Sequence, residues 1–196
     1  MFEAVDVFNI FQKFRGDAVV VPSGISSEHW HDISTNPRRD AAVAETMGGP
    51  ITFALGLALA QPEVKVVLFD SEGSLLMTLG VLATVAGMRP RNFYHFLLDN
   101  ECYATTGGQP VPNAENVSYE EMARAAGYAA SYSFDELEDL ANNVERVLDE
   151  PGPVFVSMKI VPEIETKPIH LRTLRERRAQ AEIIRDLREE LGISVG

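Results

Sequence analysis

The sequence predicts an α/β fold: an open, mostly parallel sheet with helices on both faces. Several short runs, such as AVVV at 18–21, are apolar without alternation, as expected for strands buried on both faces. Segments with helical spacing of apolar residues separate these runs, and this alternation is typical of a parallel sheet. Polar residues follow two of the runs directly, at the strand ends where such sheets bind ligands.

The strands are predicted from apolar, β-branched or aromatic runs that turn residues interrupt. In chain order they cover 18–21, 64–69, 93–98, 128–132 and 154–160. The connections at 35–46 and 101–117 are polar and are predicted to be loops.

The helices are predicted from apolar periodicity and from residues that favour helix ends. They cover 3–14, a short helix opened by Ser27-Glu28 near Ile33, 50–60, 74–87, 119–126, 134–149 and 170–191. Pro50 suits the first position of a helix, and the helix that follows is apolar nearly all round, which predicts burial. Ser133 and Glu136 have the spacing of a capping box for the helix at 134–149.

The 196 residues, 45% of them hydrophobic, suffice for one domain, which we place at 1–165, with a charged helical tail at 166–196. A net charge of −12 argues against binding to nucleic acids or to anionic membranes. The single cysteine rules out an internal disulfide and fits a reducing cytoplasm. No secretory signal is recognised at the amino terminus, and the apolar stretch 51–60 is too short to span a bilayer.

The segment DSEGS at 70–74 and the pair Asp99-Asn100 follow successive predicted strands. Gly73 lacks a side chain and would let a ligand approach the backbone closely. The hydroxyl of Ser74, and the free N–H groups of the helix predicted to begin there, would face an anion. Glu72 would repel a phosphate at this point unless a divalent cation lay between them.

Magnesium would resolve this conflict, because it takes one or two protein carboxylates together with phosphate oxygens. We expect its protein ligands to be Glu72, the amide oxygen of Asn100 and a backbone carbonyl, that of Cys102. The alternative is a plain strand-end turn in which Glu72 meets water and Asn100 is a turn residue. The position of both residues after successive strands favours the metal.

These residues resemble those of thiamine-diphosphate-dependent enzymes, whose cofactor-binding domain carries a Gly-Asp-Gly-Ser segment and, further on, an Asn at a strand end. Here Ser71-Glu72-Gly73-Ser74 and Asn100 stand at matching positions. The family also places Met-Gly before a buried helix upstream, which Met47-Gly48 matches. The resemblance implies thiamine diphosphate and Mg²⁺ as cofactors, with the Met47 side chain between the two cofactor rings. Tyr103, on the loop after the metal ligands, is expected to contact the cofactor and to border the substrate pocket.

The likeness extends to the sulfopyruvate decarboxylases, especially their beta subunits, and to the phosphonopyruvate decarboxylases. It rests on DNECYATTGGQP at 99–110, SLLMTLGVLAT at 74–84 and GLALAQPEVKVV at 56–67, and it covers about residues 18–160. The implied reaction is decarboxylation of a small 2-oxo acid. Thr105, Thr106 and Gln109 are candidates for the substrate pocket, although a polar surface loop would have the same composition.

The resemblance also implies a partner chain. The essential glutamate of the family lies in a pyrimidine-binding domain, and we recognise no such domain in this sequence. Enzymes similar to sulfopyruvate decarboxylase divide the two domains between subunits. We therefore expect a beta-type subunit that shares its active site with an alpha-type subunit in an (αβ)2 or larger assembly, and that is inactive alone.

Two departures from the family pattern leave alternatives open. Glu72 stands where the family has Asp, and Ser71 where it has Gly. The longer glutamate could favour a more tolerant ion such as manganese or calcium, or weaken the site. A non-catalytic homologue is therefore one competing function. A carboligase subunit similar to acetolactate synthase is the other, since a decarboxylase and a carboligase would look alike in this chain.

Three of the four histidines and two loop arginines are assigned structural roles. His29 and His31 lack a third metal ligand and are expected at the surface or in structural contacts. His95 is expected in the core, and Arg38 and Arg39 in loop salt bridges.

Overall fold

The computed structural model describes residues 1–42, 46–167, 171 and 178–193. Its α-helices are α1 Ala4–Phe14, α2 Ile25–Ile33, α3 Pro50–Ala60, α4 Glu72–Met77, α5 Val81–Met88, α6 Tyr119–Ala126, α7 Leu137–Asp149 and α8 Gln180–Glu190. Its strands are β1 Val19–Pro22, β2 Val66–Ser71, β3 Phe93–Asp99, β4 Cys102–Tyr103, β5 Gln109–Pro110, β6 Ala130–Phe134 and β7 Val154–Lys159. Short 3₁₀ helices lie at Pro37–Arg39, Ala104–Thr106 and Ala114–Asn116.

Within the described residues, five strands form one parallel sheet in the order β1-β2-β3-β7-β6. The short strands β4 and β5 pair separately as an antiparallel ribbon. The predicted parallel α/β sheet is confirmed, and each predicted strand lies within two residues of the observed one.

The sheet face that carries α1, α2 and α7 is built around aromatic rings. Phe69 packs at nearly right angles against Phe8 and Phe11, with ring centroids 4.9 and 5.1 Å apart. Trp30 and Phe96 complete this cluster, and all five rings are buried. Buried rings of this size dominate the energetics of a core.

The opposite face, toward α3, α5, α6 and α8, is mainly aliphatic. Val21, Ile51, Leu68, Val85 and Leu187 belong to its core. Helices therefore cover both faces, as predicted.

The predicted helix at 74–87 is wrong, because the structure has two helices there. Strand β2 runs through to Ser71, so α4 begins at Glu72 rather than at Ser74. Thr78 leaves the helical conformation, and its hydroxyl donates to the Gly48 carbonyl at 3.2 Å. This contact is tertiary, and local apolar periodicity could not reveal it.

Two further local predictions are corrected. Ser133 lies in β6 and Glu136 occupies the N-cap position of α7 without a capping hydrogen bond, so the predicted capping box is absent. Helix α2 begins at Ile25, ahead of the predicted Ser27-Glu28 start.

Helix α3 is only partly buried, although its composition predicted burial all round. Ile51, Ala54 and Ala58 are buried, whereas Leu59 is 41% exposed. The helix packs one side on the sheet, and no described residue covers its other side around Leu59. No helix among the described residues is long and apolar enough to cross a bilayer.

The charged tail contributes α8, which packs on the domain. Leu187 enters the aliphatic core, and Arg38 reaches Glu189 at 2.7 Å and Glu190 at 2.9 Å. Arg39 lies 3.5 Å from Glu190, so the loop salt bridges expected of both arginines are confirmed. Residues 168–170 and 172–177 of the predicted tail helix lie outside the described residues.

The carboxyl ends of β2 and β3 lie side by side, with Ser71 in register with Leu98. Glu72 follows the first of these strands and Asn100 the second. The two segments singled out in the sequence therefore meet at one edge of the sheet.

Candidate functional site

The Glu72 side chain is fully buried at this edge of the sheet. Its exposed fraction is 0%, and neither carboxylate oxygen has a hydrogen-bond partner among the described residues. A charged carboxylate without a partner in such a place is costly, so it is expected to take up a proton or to bind a cation.

Burial raises the pKa of Glu72 to about 8, and the nearby charge of Asp99 adds to this effect. Backbone amides, including those of Asn100 and Cys102, favour the charged form, but they do not reach hydrogen-bond geometry with either oxygen. Burial also raises the pKa of Asp99, although Lys159 lies 2.8 Å from it and opposes the rise. The edge therefore brings together two buried acidic groups whose charged forms Lys159 stabilises only in part, so that a cation would be favoured there.

Asn100 and Cys102 form a tight turn beside Glu72. The Cys102 N–H donates to Asn100 Oδ1 at 3.1 Å, and Asn100 is 8% exposed. An amide oxygen has two lone pairs, so this bond leaves one of them available to a ligand. Burial and the charges of Glu72 and Glu101 raise the pKa of the Cys102 thiol, which keeps it protonated.

The side chains of Tyr103 and Met47 both approach the backbone of Gly73. A methyl group placed on Gly73 would lie 2.7 and 2.9 Å from Tyr103 ring carbons and 3.6 Å from Met47 Cε. The Met47 side chain is 44% exposed, which leaves part of it open to a ligand. The absence of a side chain at Gly73 thus creates a cradle between an aromatic ring and a thioether.

Gly48 and Ser74 are joined by a hydrogen bond. The Gly48 N–H donates to Ser74 Oγ at 3.0 Å, and Ser74 is 3% exposed. Gly48 has a φ of 82°, which favours glycine, and an added methyl would lie 2.8 Å from Thr78 Cγ2. This contact ties the segment before α3 to α4.

The loop after β4 carries the three candidates for the substrate pocket, and all three are exposed. Thr106 Oγ1 donates to Gln109 Oε1 at 3.1 Å, and Gln109 Nε2 donates to the Thr106 carbonyl at 3.0 Å. The Thr105 hydroxyl has no partner among the described residues. Thr106 and Gln109 therefore hold the loop in shape, and Thr105 is free to contact a ligand.

The Thiamine pyrophosphate enzyme, C-terminal TPP binding domain family matches residues 26–158 of this chain, which is more than half of it. The chain belongs to this family. The match includes Glu72, Gly73 and Asn100, as well as Met47 and Gly48.

Curated relatives of this TPP-binding domain are similar along most of the chain. Sulfopyruvate decarboxylase subunit beta of Methanothermobacter thermautotrophicus is 34% identical over 170 residues, which cover 86% of this chain and 88% of the relative. Phosphonopyruvate decarboxylase of Streptomyces viridochromogenes is 36% identical over 148 residues, 76% of this chain. The matched part is 36% of that enzyme's length.

A solved structure shares the fold of the TPP-binding domain. Benzoylformate decarboxylase from Polynucleobacter necessarius superposes with a TM-score of 0.70 at 18% identity. The superposition covers 83% of this chain and 34% of that one. At this identity the likeness concerns the fold alone.

Sequence reasoning missed Tyr119 as a neighbour of the site. Its hydroxyl is buried and has no partner among the described residues. Burial raises its pKa, and the charges of Asp99 and Glu72 act in the same direction. In the sequence, Tyr119 is simply the first residue of an amphipathic helix, so no local signal could have placed it there.

His29, His31 and His95 each pair with a carboxylate other than that of Glu72. His95 is fully buried in β3, as expected, with Nε2 3.6 Å from Asp70 Oδ2. His29 pairs with Glu163 at 2.9 Å, and His31 is exposed beside Asp32. Among the described residues, no three His, Cys, Asp or Glu side chains converge as a metal-binding group.

The raised pKa of Glu72 predicts that the TPP-binding domain without ligands loses stability as pH rises. The folded state holds a proton on Glu72 up to about pH 8, whereas the unfolded chain releases it near its usual value of 4.5. The free energy of unfolding should therefore fall between these values, by about 1 kcal/mol per pH unit. Urea unfolding at several pH values from 5 to 8.5 measures this fall in the free energy of unfolding.

Glu72→Gln should make this slope shallower, since glutamine carries no proton to lose. The raised pKa of Asp99 would maintain a smaller slope of the same sign. An unchanged slope in this variant would contradict the origin assigned to it.

Proposed function

We propose that this chain is the beta-type subunit of a thiamine-diphosphate-dependent decarboxylase of small 2-oxo acids, of the sulfopyruvate or phosphonopyruvate type. The observation that carries the proposal is the buried Glu72 carboxylate, which has no hydrogen-bond partner in the part of the chain that the structure describes and lies beside Asn100 in a chain of this family. The similarity to a protein named as a sulfopyruvate decarboxylase beta subunit supports the assignment.

In this proposal Glu72, Asn100 Oδ1 and the Cys102 carbonyl hold a Mg²⁺ ion. These are oxygen donors, and the single carboxylate among them fits an ion that also binds phosphate oxygens and water. The buried Asp99 adds negative potential that favours a cation. The cation would remove the cost of the buried charge of Glu72.

The cofactor is proposed to lie against the cradle. Gly48, Gly73 and Ser74 would border its diphosphate, and Met47 and Tyr103 would contact its rings. When bound, the thiazolium ring accepts the electron pair that is released as carbon dioxide leaves the 2-oxo acid. The contribution of this chain is to anchor and orient the cofactor and to present the loop that carries Thr105.

The other half of the active site is assigned to an alpha-type partner that carries the pyrimidine-binding domain and the essential glutamate. This chain covers most of a relative named as a beta subunit but about a third of phosphonopyruvate decarboxylase. The similarity to a protein named as a beta subunit supports a hetero-oligomer, (αβ)2 or larger, in which neither chain is active alone. We propose a cytoplasmic location for it.

The test is co-expression with an alpha-type partner, followed by assays of carbon dioxide release from sulfopyruvate, phosphonopyruvate and pyruvate. We expect release only from the assembled complex, and its loss when a chelator removes the divalent ion. Thiamine diphosphate binding, measured by calorimetry with and without Mg²⁺, identifies the cofactor step. Glu145→Gln, an exposed change on α7, is the matched control for charge removal.

Two results would contradict the proposal. A complex that never binds thiamine diphosphate at any metal concentration would favour a non-catalytic homologue. Condensation of two 2-oxo acids, detected as a hydroxy-oxo acid product instead of an aldehyde, would favour a carboligase.

A further inference from the structure

Residues 161–165, which follow β7 and which we name the strap, run from the sheet to the substrate loop. The Val161 N–H donates to the Phe2 carbonyl at 3.0 Å. Glu163 Oε2 lies 2.9 Å from His29 Nε2, which joins the strap to α2. The strap is thus attached at its start and its middle to elements that belong to the domain core.

The end of the strap holds the loop on both sides of Thr105. The Glu165 N–H donates to the Ala104 carbonyl at 2.9 Å. The Ile164 side chain packs on Gly108, where an added methyl would meet Ile164 Cδ1 at 2.8 Å. Gly108 has a φ of 79°, so a glycine suits the position both by conformation and by space.

Ile164 contributes little to the stability of the core. It is 46% exposed and belongs to neither hydrophobic core cluster, although it makes this close contact with the loop. A half-exposed isoleucine gains much less free energy from burial than a core isoleucine. Its contact with Gly108 therefore acts mainly on the conformation of the loop.

We propose that the strap positions the Thr105 hydroxyl for substrate, and that Ile164 is the positioning residue that fixes the loop. This inference rests on the proposed function, because it assigns Thr105 to the substrate pocket. The Thr106–Gln109 hydrogen bonds shape the loop from within, and the strap sets its place relative to the sheet. Substrate affinity thereby depends on a residue that does not touch the substrate.

The first test measures the local stability of the loop in the full chain, without substrate or cofactor. Amide hydrogen exchange of the segment 104–110 should be faster in Ile164→Ala than in the wild type, by about tenfold. Leu59→Ala is the matched control, since Leu59 is 41% exposed on α3. It should leave exchange in this segment unchanged, and both variants should keep the wild-type melting temperature.

The second test uses the assembled complex. Ile164→Ala should raise KM for the 2-oxo acid about tenfold while kcat and the affinity for thiamine diphosphate stay unchanged, as expected when only substrate binding is weakened. Thr105→Ala should have a similar effect. The double variant should show about the same tenfold rise rather than a hundredfold rise, because both changes remove one contact.

The outcomes separate this inference from the proposed function. Unchanged exchange in Ile164→Ala, or additive effects of the two changes on KM, would overturn the strap inference even in an active enzyme. If Ile164→Ala exchanges faster in segment 104–110 but the complex neither binds thiamine diphosphate nor releases carbon dioxide, the proposed function is contradicted. The result would still show that the strap fixes the conformation of the loop.

Discussion

Glu72→Gln is expected to abolish Mg²⁺-dependent binding of thiamine diphosphate, with a loss of affinity of at least about 100-fold. Glutamine keeps the shape of the side chain and removes the only carboxylate among the three proposed ligands. The buried position of Glu72 means that no other charge can move easily into its place. Calorimetric titration of the assembled complex with the cofactor, at fixed Mg²⁺, measures the effect.

Loss of binding in this variant should not arise from unfolding. Removing a buried charge should raise the stability of the ligand-free chain above pH 8, so its urea midpoint should increase there. Glu72→Asp, which restores the carboxylate of the wider family, should retain metal-dependent binding. Wild-type affinity in Glu72→Gln would show that the metal ligands have been assigned wrongly.

Gly73→Ala is expected to lower kcat/KM about 100-fold, the scale associated with a displacement of ~1 Å near reacting groups. The new methyl group would lie 2.7 and 2.9 Å from ring carbons of Tyr103. The ring would have to move away, and the cradle that it forms with Met47 would change shape. Steady-state kinetics of the complex, with saturating cofactor, give the value.

Gly73→Ala should lose no more than about 2 kcal/mol of stability, because the helix preference of alanine offsets part of the cost of moving the Tyr103 ring. Gly56→Ala is the matched control. Gly56 lies within α3 with nothing within 4 Å of the added methyl, so activity should be unchanged and stability should rise by about 1 kcal/mol. Unaltered kinetics in Gly73→Ala would refute a role for the cradle.

Sequence reasoning recovered the parallel sheet and the meeting of the Glu72 and Asn100 segments at one sheet edge, whereas their assignment to a metal and cofactor site stays a prediction. Glu72 and Asn100 could be paired because strands that alternate with helices must be parallel, and so end at the same edge. The sequence-based prediction was wrong at the helix break at 78–80. There the hydrogen bond from the Thr78 hydroxyl to the Gly48 carbonyl opposes the continuous helix that the apolar periodicity predicted. The prediction also failed for α3, since apolar composition does not reveal which side of a helix is covered.

The sequence by itself determined the order of strands and helices, the polar residues at two strand ends and the family resemblance, because these depend on local patterns and spacing. Only the tertiary structure decided that Glu72 is buried with no hydrogen-bond partner among the residues it describes, that Tyr119 lies near it, and that the strap holds the loop of Thr105. Burial and the approach of distant segments set the energy of a charge, and neither is encoded at any single position of the chain.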